Sequence, residues 1–121
     1  MDILVVDDSR TMRLILQRAI RQAGYRGLDV GEAENGVQAL EKLRTANPKL
    51  ILSDWNMPEM SGLELLQHVR ESDNKVAFGF ITSEVADSTK ALAMTSGAAF
   101  LIRKPFTPED IEKALYPILG S

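Results

Sequence analysis

Four short apolar runs set the terms for this chain: Ile3–Val6, Leu50–Leu52, Phe78–Ile81 and Phe100–Ile102. Each breaks off close to a residue with chemical use. The first ends in Asp7-Asp8, the third in Thr82, and the fourth just before Lys104. The second organises the rest: Leu50-Ile51-Leu52-Ser53 stops abruptly at Asp54, and a turn through Met57-Pro58 follows. Short runs without polar alternation suit parallel strands buried on both faces. A fifth and weaker strand, Leu28–Ala33, alternates and contains Gly31, which fits a sheet edge.

Helical patterns fill the gaps. Met12, Ile15, Leu16, Ala19, Ile20 and Ala23 recur at three and four, which predicts one buried face ending at Gly24. Arg10, Arg13, Arg18 and Arg21 fall mostly off that face and are expected in solvent. After a turn at Asn35-Gly36, Val37, Leu40 and Leu43 mark a second helix, closed by Asn47-Pro48. Ser61 with Glu64 reads as a capping box for a third, burying Leu63, Leu66 and Val69. Asp87 or Ser88 opens a fourth, rich in Ala and ending before Gly97, which should pack lightly. Thr107-Pro108-Glu109-Asp110 starts a fifth: a capping hydroxyl, a proline in the first turn and acids at the positive dipole end. Ile111, Ala114, Leu115 and Ile118 form its buried face, and Pro117 is expected to end it near Tyr116. Strands and helices alternate five times with short links, which predicts an α/β fold, a doubly wound parallel sheet with helices on both faces.

Composition narrows the function. At 121 residues, 45% apolar and 26% charged, residues 1–121 read as one globular domain. A net charge of −3 disfavours a nucleic-acid partner. The chain has no cysteine, so disulfides and thiolate metal sites are excluded. No stretch reads as a signal peptide or membrane span, and the expected location is cytoplasmic.

In open α/β sheets, ligands bind beyond the carboxyl ends of the strands. Asp7, Asp8, Asp54, Thr82 and Lys104 all fall there. Carboxylates gathered in one place resist ionisation unless a cation joins them. Magnesium suits a few carboxylates with water and phosphate oxygens. A carboxylate beside such an ion can act as nucleophile toward phosphorus, with charge neutralisation as the main requirement. Asp54 is then the phosphoacceptor, Asp7 and Asp8 hold the metal, Lys104 neutralises charge, and Thr82 hydrogen-bonds the product. Taken singly, each residue has a plainer reading: Asp54 or Asp7-Asp8 as helix caps, Thr82 as a strand end, Lys104 as a solvated loop charge. Their joint placement at successive strand ends argues against that reading. His68 is expected in solvent, and Trp55 either at the rim of the site or in ordinary packing.

These residues resemble the receiver domains of two-component response regulators. The resemblance rests on Asp7-Asp8, on Asp54 followed by Met57-Pro58 and Gly62, on Thr82-Ser83, and on Lys104-Pro105-Phe106. Within the family the chain is most similar to single-domain chemotaxis regulators, through Asp8-Ser9-Arg10-Thr11-Met12-Arg13, Asp54-Trp55-Asn56 and Thr82-Ser83-Glu84. The resemblance implies a flavodoxin-like sheet of order 2-1-3-4-5. It implies phosphorylation of Asp54 by a sensor histidine kinase or small phosphodonors. Asp8 and Asp54 would bind Mg2+ directly, Asp7 through water, and the backbone carbonyl of Asn56 would add a ligand. The side chains of Asn56 and Glu84 would tune the lifetime of the phosphoryl group. Only self-phosphorylation and self-dephosphorylation are expected, in a monomer whose downstream protein target is a flagellar motor switch or another phosphorelay component.

One departure stands out. The family usually places Tyr or Phe three residues before the Lys, and here Leu101 occupies that position, with Phe100 one residue earlier. Leu101 is a softer switch, a local bulge re-aims Phe100, or signalling differs. Two other functions compete. An aspartate-nucleophile phosphatase would carry Asp-x-Asp on its first strand, whereas the acids here are adjacent. A flavin carrier would want a Ser/Thr/Gly-rich phosphate loop where Asp7-Asp8 would repel the phosphate.

Overall fold

The computed structural model describes residues 1–84 and 86–120. Elements alternate along the chain: β1 (Ile3–Val6), α1 (Arg10–Gln22), β2 (Val30–Ala33), α2 (Gly36–Leu43), β3 (Leu50–Asp54), α3 (Gly62–Glu71), β4 (Ala77–Thr82), α4 (Asp87–Thr95), β5 (Phe100–Arg103) and α5 (Pro108–Leu119). The strands form one parallel sheet in the order β2-β1-β3-β4-β5, so Leu28–Ala33 does supply an edge strand, shortened to its last four residues.

The two-residue period of the strands divides the core into two layers. Ile3, Val5, Leu50, Leu52, Ile81 and Ile102 face α1 and α5, where Leu16, Ile20, Ile111 and Leu115 close over them. Leu4, Val6, Ile51, Phe78 and Phe80 face the other way, against Ala39 of α2, Leu65, Leu66 and Val69 of α3, and Ala93 of α4. Truncating one of these large buried side chains to Ala would cost about 2–5 kcal/mol, so this double layer holds the strand ends in register.

Caps fix where most helices begin. Ser9, Asn35, Ser61 and Thr107 each accept a backbone N–H of the first turn, and Ser61–Glu64 and Thr107–Asp110 are full capping boxes. Asn35-Gly36 is thus the start of α2 rather than a separate turn. That helix stops at Leu43, well before Asn47-Pro48.

Several side chains depart from the periodic reading. Ile15 and Val37 were expected inside but stand 44% and 59% exposed. Both lie at the margin of their helical stripe, where one step of 100° decides between core and water. On α3, Leu65 is fully buried whereas Leu63 is only half-buried. Arg13 is not solvated; its side chain is 11% exposed and ion-paired. Nor does Pro117 end α5, which continues to Leu119. Ile118 and Leu119 pack on the core layer, and the Tyr25 hydroxyl donates to the Gly120 carbonyl oxygen at 2.7 Å. Those contacts hold the last turn against the lost backbone bond. α4 is as lightly packed as its composition suggests: only Ala93 is buried, and Leu92 and Met94 are 47% and 44% exposed.

Candidate functional site

The carboxyl ends of β1, β3, β4 and β5 bring the acids, the hydroxyl and the ammonium to one rim. Asp7 stands one residue beyond β1, and its N–H still reaches the Ala33 carbonyl of β2 at 3.1 Å. Its residue is 2% exposed. One carboxylate oxygen, Oδ1, accepts the Ser9 N–H at 2.9 Å as the chain turns into α1. The other, Oδ2, is buried with no hydrogen bond among the described residues. Burial pushes the Asp7 carboxyl above its ordinary range; the Ser9 N–H opposes that, Asp54 adds to it, Lys104 opposes it, and Asp8 adds a little more.

Asp54 closes β3 with a side chain 12% exposed, and Asp8 is exposed. Asp7, Asp8 and Asp54 each offer an oxygen within 4.8 Å of the other two. Lys104, just past β5, sends Nζ to 3.5 Å from Asp54 Oδ1 and 3.8 Å from Asp7 Oδ2. When the three acids are ionised, one ammonium leaves the pocket at −2 (−3 from the carboxylates, +1 from Lys104). Two unit charges about 4 Å apart at an effective dielectric of about 20 interact by about 4 kcal/mol. Repulsion of that size, beside an orphaned buried oxygen, fits a donor set built for a divalent cation. Oxygen-only donors suit magnesium.

Thr82 ends β4 fully buried, one residue beyond Ile81, the partner of Asp54 across the β3–β4 ladder. Its hydroxyl oxygen accepts the Glu84 N–H at 2.9 Å, and its carbonyl accepts the Lys104 N–H at 2.7 Å. Thr82 therefore links the β4 end to the residue that carries the ammonium. Asn56 and Glu84 are exposed, each two residues past a strand end. Trp55, half-buried, meets Phe80 edge-on with centroids 4.8 Å apart, so it is packed and also adjacent to the acid.

The loop after β3 returns tightly. Gly62 N–H bonds the Trp55 carbonyl at 2.9 Å, and a side chain at Gly62 would strike the Asp54 carbonyl oxygen and the Phe80 ring. Only glycine lets α3 begin so close to Asp54.

On β5 the ladder to β4 runs Gly79↔Phe100, Phe80↔Leu101, Ile81↔Ile102 and Thr82↔Arg103 without a bulge. Phe100 therefore stays on the α1/α5 side, its ring lying over the bare backbone of Gly79. Leu101 is on the opposite face, shared with Phe80 and Thr82, and floors a hollow lined by Glu84, Ala86, Asp87, Lys90 and Arg103. A bulge that re-aims Phe100 is thereby ruled out.

The sequence reading missed Arg13. Its Nη1 donates to the Asp7 carbonyl at 2.7 Å, and its Nε to Glu32 Oε1 at 2.8 Å. Glu32 is held below the usual carboxylate range, first by that hydrogen bond and then, against partial desolvation, by one from Gln17. The only sequence signal was a cation in the second turn of a helix that follows an acid pair. Its partner Glu32 lies on β2, opposite Val5 of β1, a pairing that no local pattern announces.

A family model described as the response regulator receiver domain matches residues 3–116. A chemotaxis protein CheY1 of Helicobacter pylori is 43% identical, over all of this chain and 98% of its own. A chemotaxis protein CheY homolog of Campylobacter jejuni is 39% identical, over all of this chain and 94% of its own. Among solved structures, chemotaxis protein CheY4 of Vibrio cholerae superposes with a TM-score of 0.85 at 35% identity, covering 98% of both chains.

Proposed function

This chain belongs to the response regulator receiver domains, a class of signalling switches, and on that premise we propose that residues 1–121 act as one phosphoacceptor domain in chemotaxis. The observation that carries the reading is Lys104 Nζ set between Asp54 and Asp7, in front of three converging carboxylates.

An Asp54 carboxylate oxygen attacks the phosphorus of a phosphohistidine or a small acyl phosphate. The new O–P bond forms as the bond to the donor nitrogen or oxygen breaks, and the donor leaves with that electron pair. Asp8, Asp54 and the Asn56 carbonyl would hold magnesium directly and Asp7 through water; when bound, the ion neutralises the pocket and the phosphoryl oxygens. The Lys104 ammonium offsets charge on the same oxygens from the β5 side. The Thr82 hydroxyl, whose oxygen takes the Glu84 N–H, would donate its own proton to the phosphoryl group. Asn56 and Glu84, exposed two residues past the ends of β3 and β4, would govern how long the acyl phosphate lasts.

The partners are a sensor histidine kinase and a downstream protein, for which we propose a flagellar motor switch; relatives named as chemotaxis proteins support a role in that process. Among the described residues no helix is long and apolar enough to cross a membrane. We place the protein in the cytoplasm as a monomer. Because Leu101 stands where the family usually has an aromatic ring, the surface of α4, β5 and α5 would respond to phosphorylation through a smaller side chain.

Trp55 is the sole tryptophan and reports the test. Magnesium should change its fluorescence, and acetyl phosphate or beryllofluoride should change it further only with magnesium present. Asp54→Asn should bind magnesium more weakly and lose the second response. A second response that survives in Asp54→Asn, or one independent of magnesium, would contradict the proposal.

A further inference from the structure

Arg13 reaches the acid pocket from behind. Asp7, one residue past β1, is the last to reach the β2 ladder, its N–H donating to the Ala33 carbonyl at 3.1 Å. Beyond it the ladder stops, and Arg13 Nη1 takes the Asp7 carbonyl at 2.7 Å. That carbonyl belongs to the peptide joining Asp7 to Asp8, so its orientation decides how both side chains leave the backbone. The other arm of the guanidinium is fixed by Glu32 at 2.8 Å, on the edge strand. Glu32 is itself tied down at its backbone, whose carbonyl accepts Lys42 Nζ. A planar guanidinium can hold both acceptors in a fixed fork, which an ammonium cannot reproduce.

We infer that Arg13 is a positioning residue for the divalent-cation site: it locks the Asp7–Asp8 peptide so that both acids face Asp54, and Glu32 of β2 locks Arg13. The inference rests on the reading of the pocket as a magnesium site. It makes the edge strand, remote from Asp54 in sequence, part of what sets metal affinity.

Charge alone makes the opposite prediction. Removing a cation near three carboxylates should tighten binding of a dication. Losing the positioning contact should weaken it, as loss of a supporting hydrogen bond to metal ligands commonly does by roughly tenfold or more. The test is a magnesium titration of the full chain by calorimetry and Trp55 fluorescence, well below the melting transition of each variant. Arg13→Met should weaken magnesium roughly tenfold. Arg13→Lys, which keeps the charge but not the fork, should weaken it by less. Arg18→Met, an exposed cation on the same helix, should leave it unchanged. Unchanged or tighter binding by Arg13→Met overturns the inference, as does an equal loss in Arg18→Met. If Arg13→Met does not fold, Arg13→Lys decides: weaker binding than the original chain supports the inference, equal binding overturns it. An original chain that takes no magnesium would sink the metal reading itself, whereas one that binds as well with Met at position 13 sinks this inference alone.

Discussion

Asp7 is the residue where the proposed cation site works against stability. Its carboxyl is buried, one oxygen has no hydrogen bond among the described residues, and its proton affinity is raised chiefly by that burial. Protons therefore bind the folded state more tightly than the unfolded one at this position. Its contribution to stability is fully present below the unfolded value and is lost as pH rises through the raised folded value. Asp7→Asn keeps the shape and removes the charge. In the presence of a chelator at neutral pH, the variant should melt a few degrees higher than the original chain, and its stability should no longer fall across that acid window. The same change should weaken magnesium by about tenfold or more. Urea denaturation across pH, with and without magnesium, checks both halves. An Asn variant less stable than the original in chelator would show that the Lys104 and Ser9 contacts outweigh the burial.

At the scale of elements, what was legible in the sequence is what is local. Strand ends were readable because an apolar run followed by Asp54 or Asp7-Asp8 is a contiguous signal. The caps at Ser61 and Thr107 were readable because a capping box spans four residues. What depends on neighbours was not. Ile15 and Val37 lie at the stripe margins, and only the packing partner decides their side. Pro117 follows its local rule less than it follows the burial of Ile118 and Leu119 beyond it. Arg13 looked like any cation off the apolar face until the β1–β2 pairing placed Glu32 beside it. The same logic picks out α4 as the least tethered helix. Its cap position, Ala86, offers no side-chain acceptor, and Ala93 is its one buried residue. Ala86→Ser should add about 1 kcal/mol of stability by capping a first-turn N–H, read as a higher urea midpoint. Amide exchange in α4 should slow relative to the original chain. No gain in either would mean that the first turn is already satisfied by other groups.

Across the whole molecule, the parallel sheet converts separations of tens of residues into contacts of a few ångströms. Asp7, Asp54, Thr82 and Lys104 come from four strand ends, and the parallel order β2-β1-β3-β4-β5 sends all of those ends to one rim. The two apolar layers supply the rigidity and the rim supplies the charge. The order of chemistry along the chain, acid pair, acid, hydroxyl, ammonium, was visible beforehand because each falls just past its own apolar run. That they meet within reach of one ion is a property of the fold alone. The account stands or falls on where a phosphoryl group lands. The chain should be treated with acetyl phosphate and magnesium, the acyl phosphate trapped by borohydride reduction, and the modified residue located by peptide mass mapping. Modification of Asp54 alone, abolished by a chelator and sharply slowed in Lys104→Met, is the predicted result. A label on Asp7, Asp8 or any residue away from this rim, or one that forms equally well without magnesium, would contradict it.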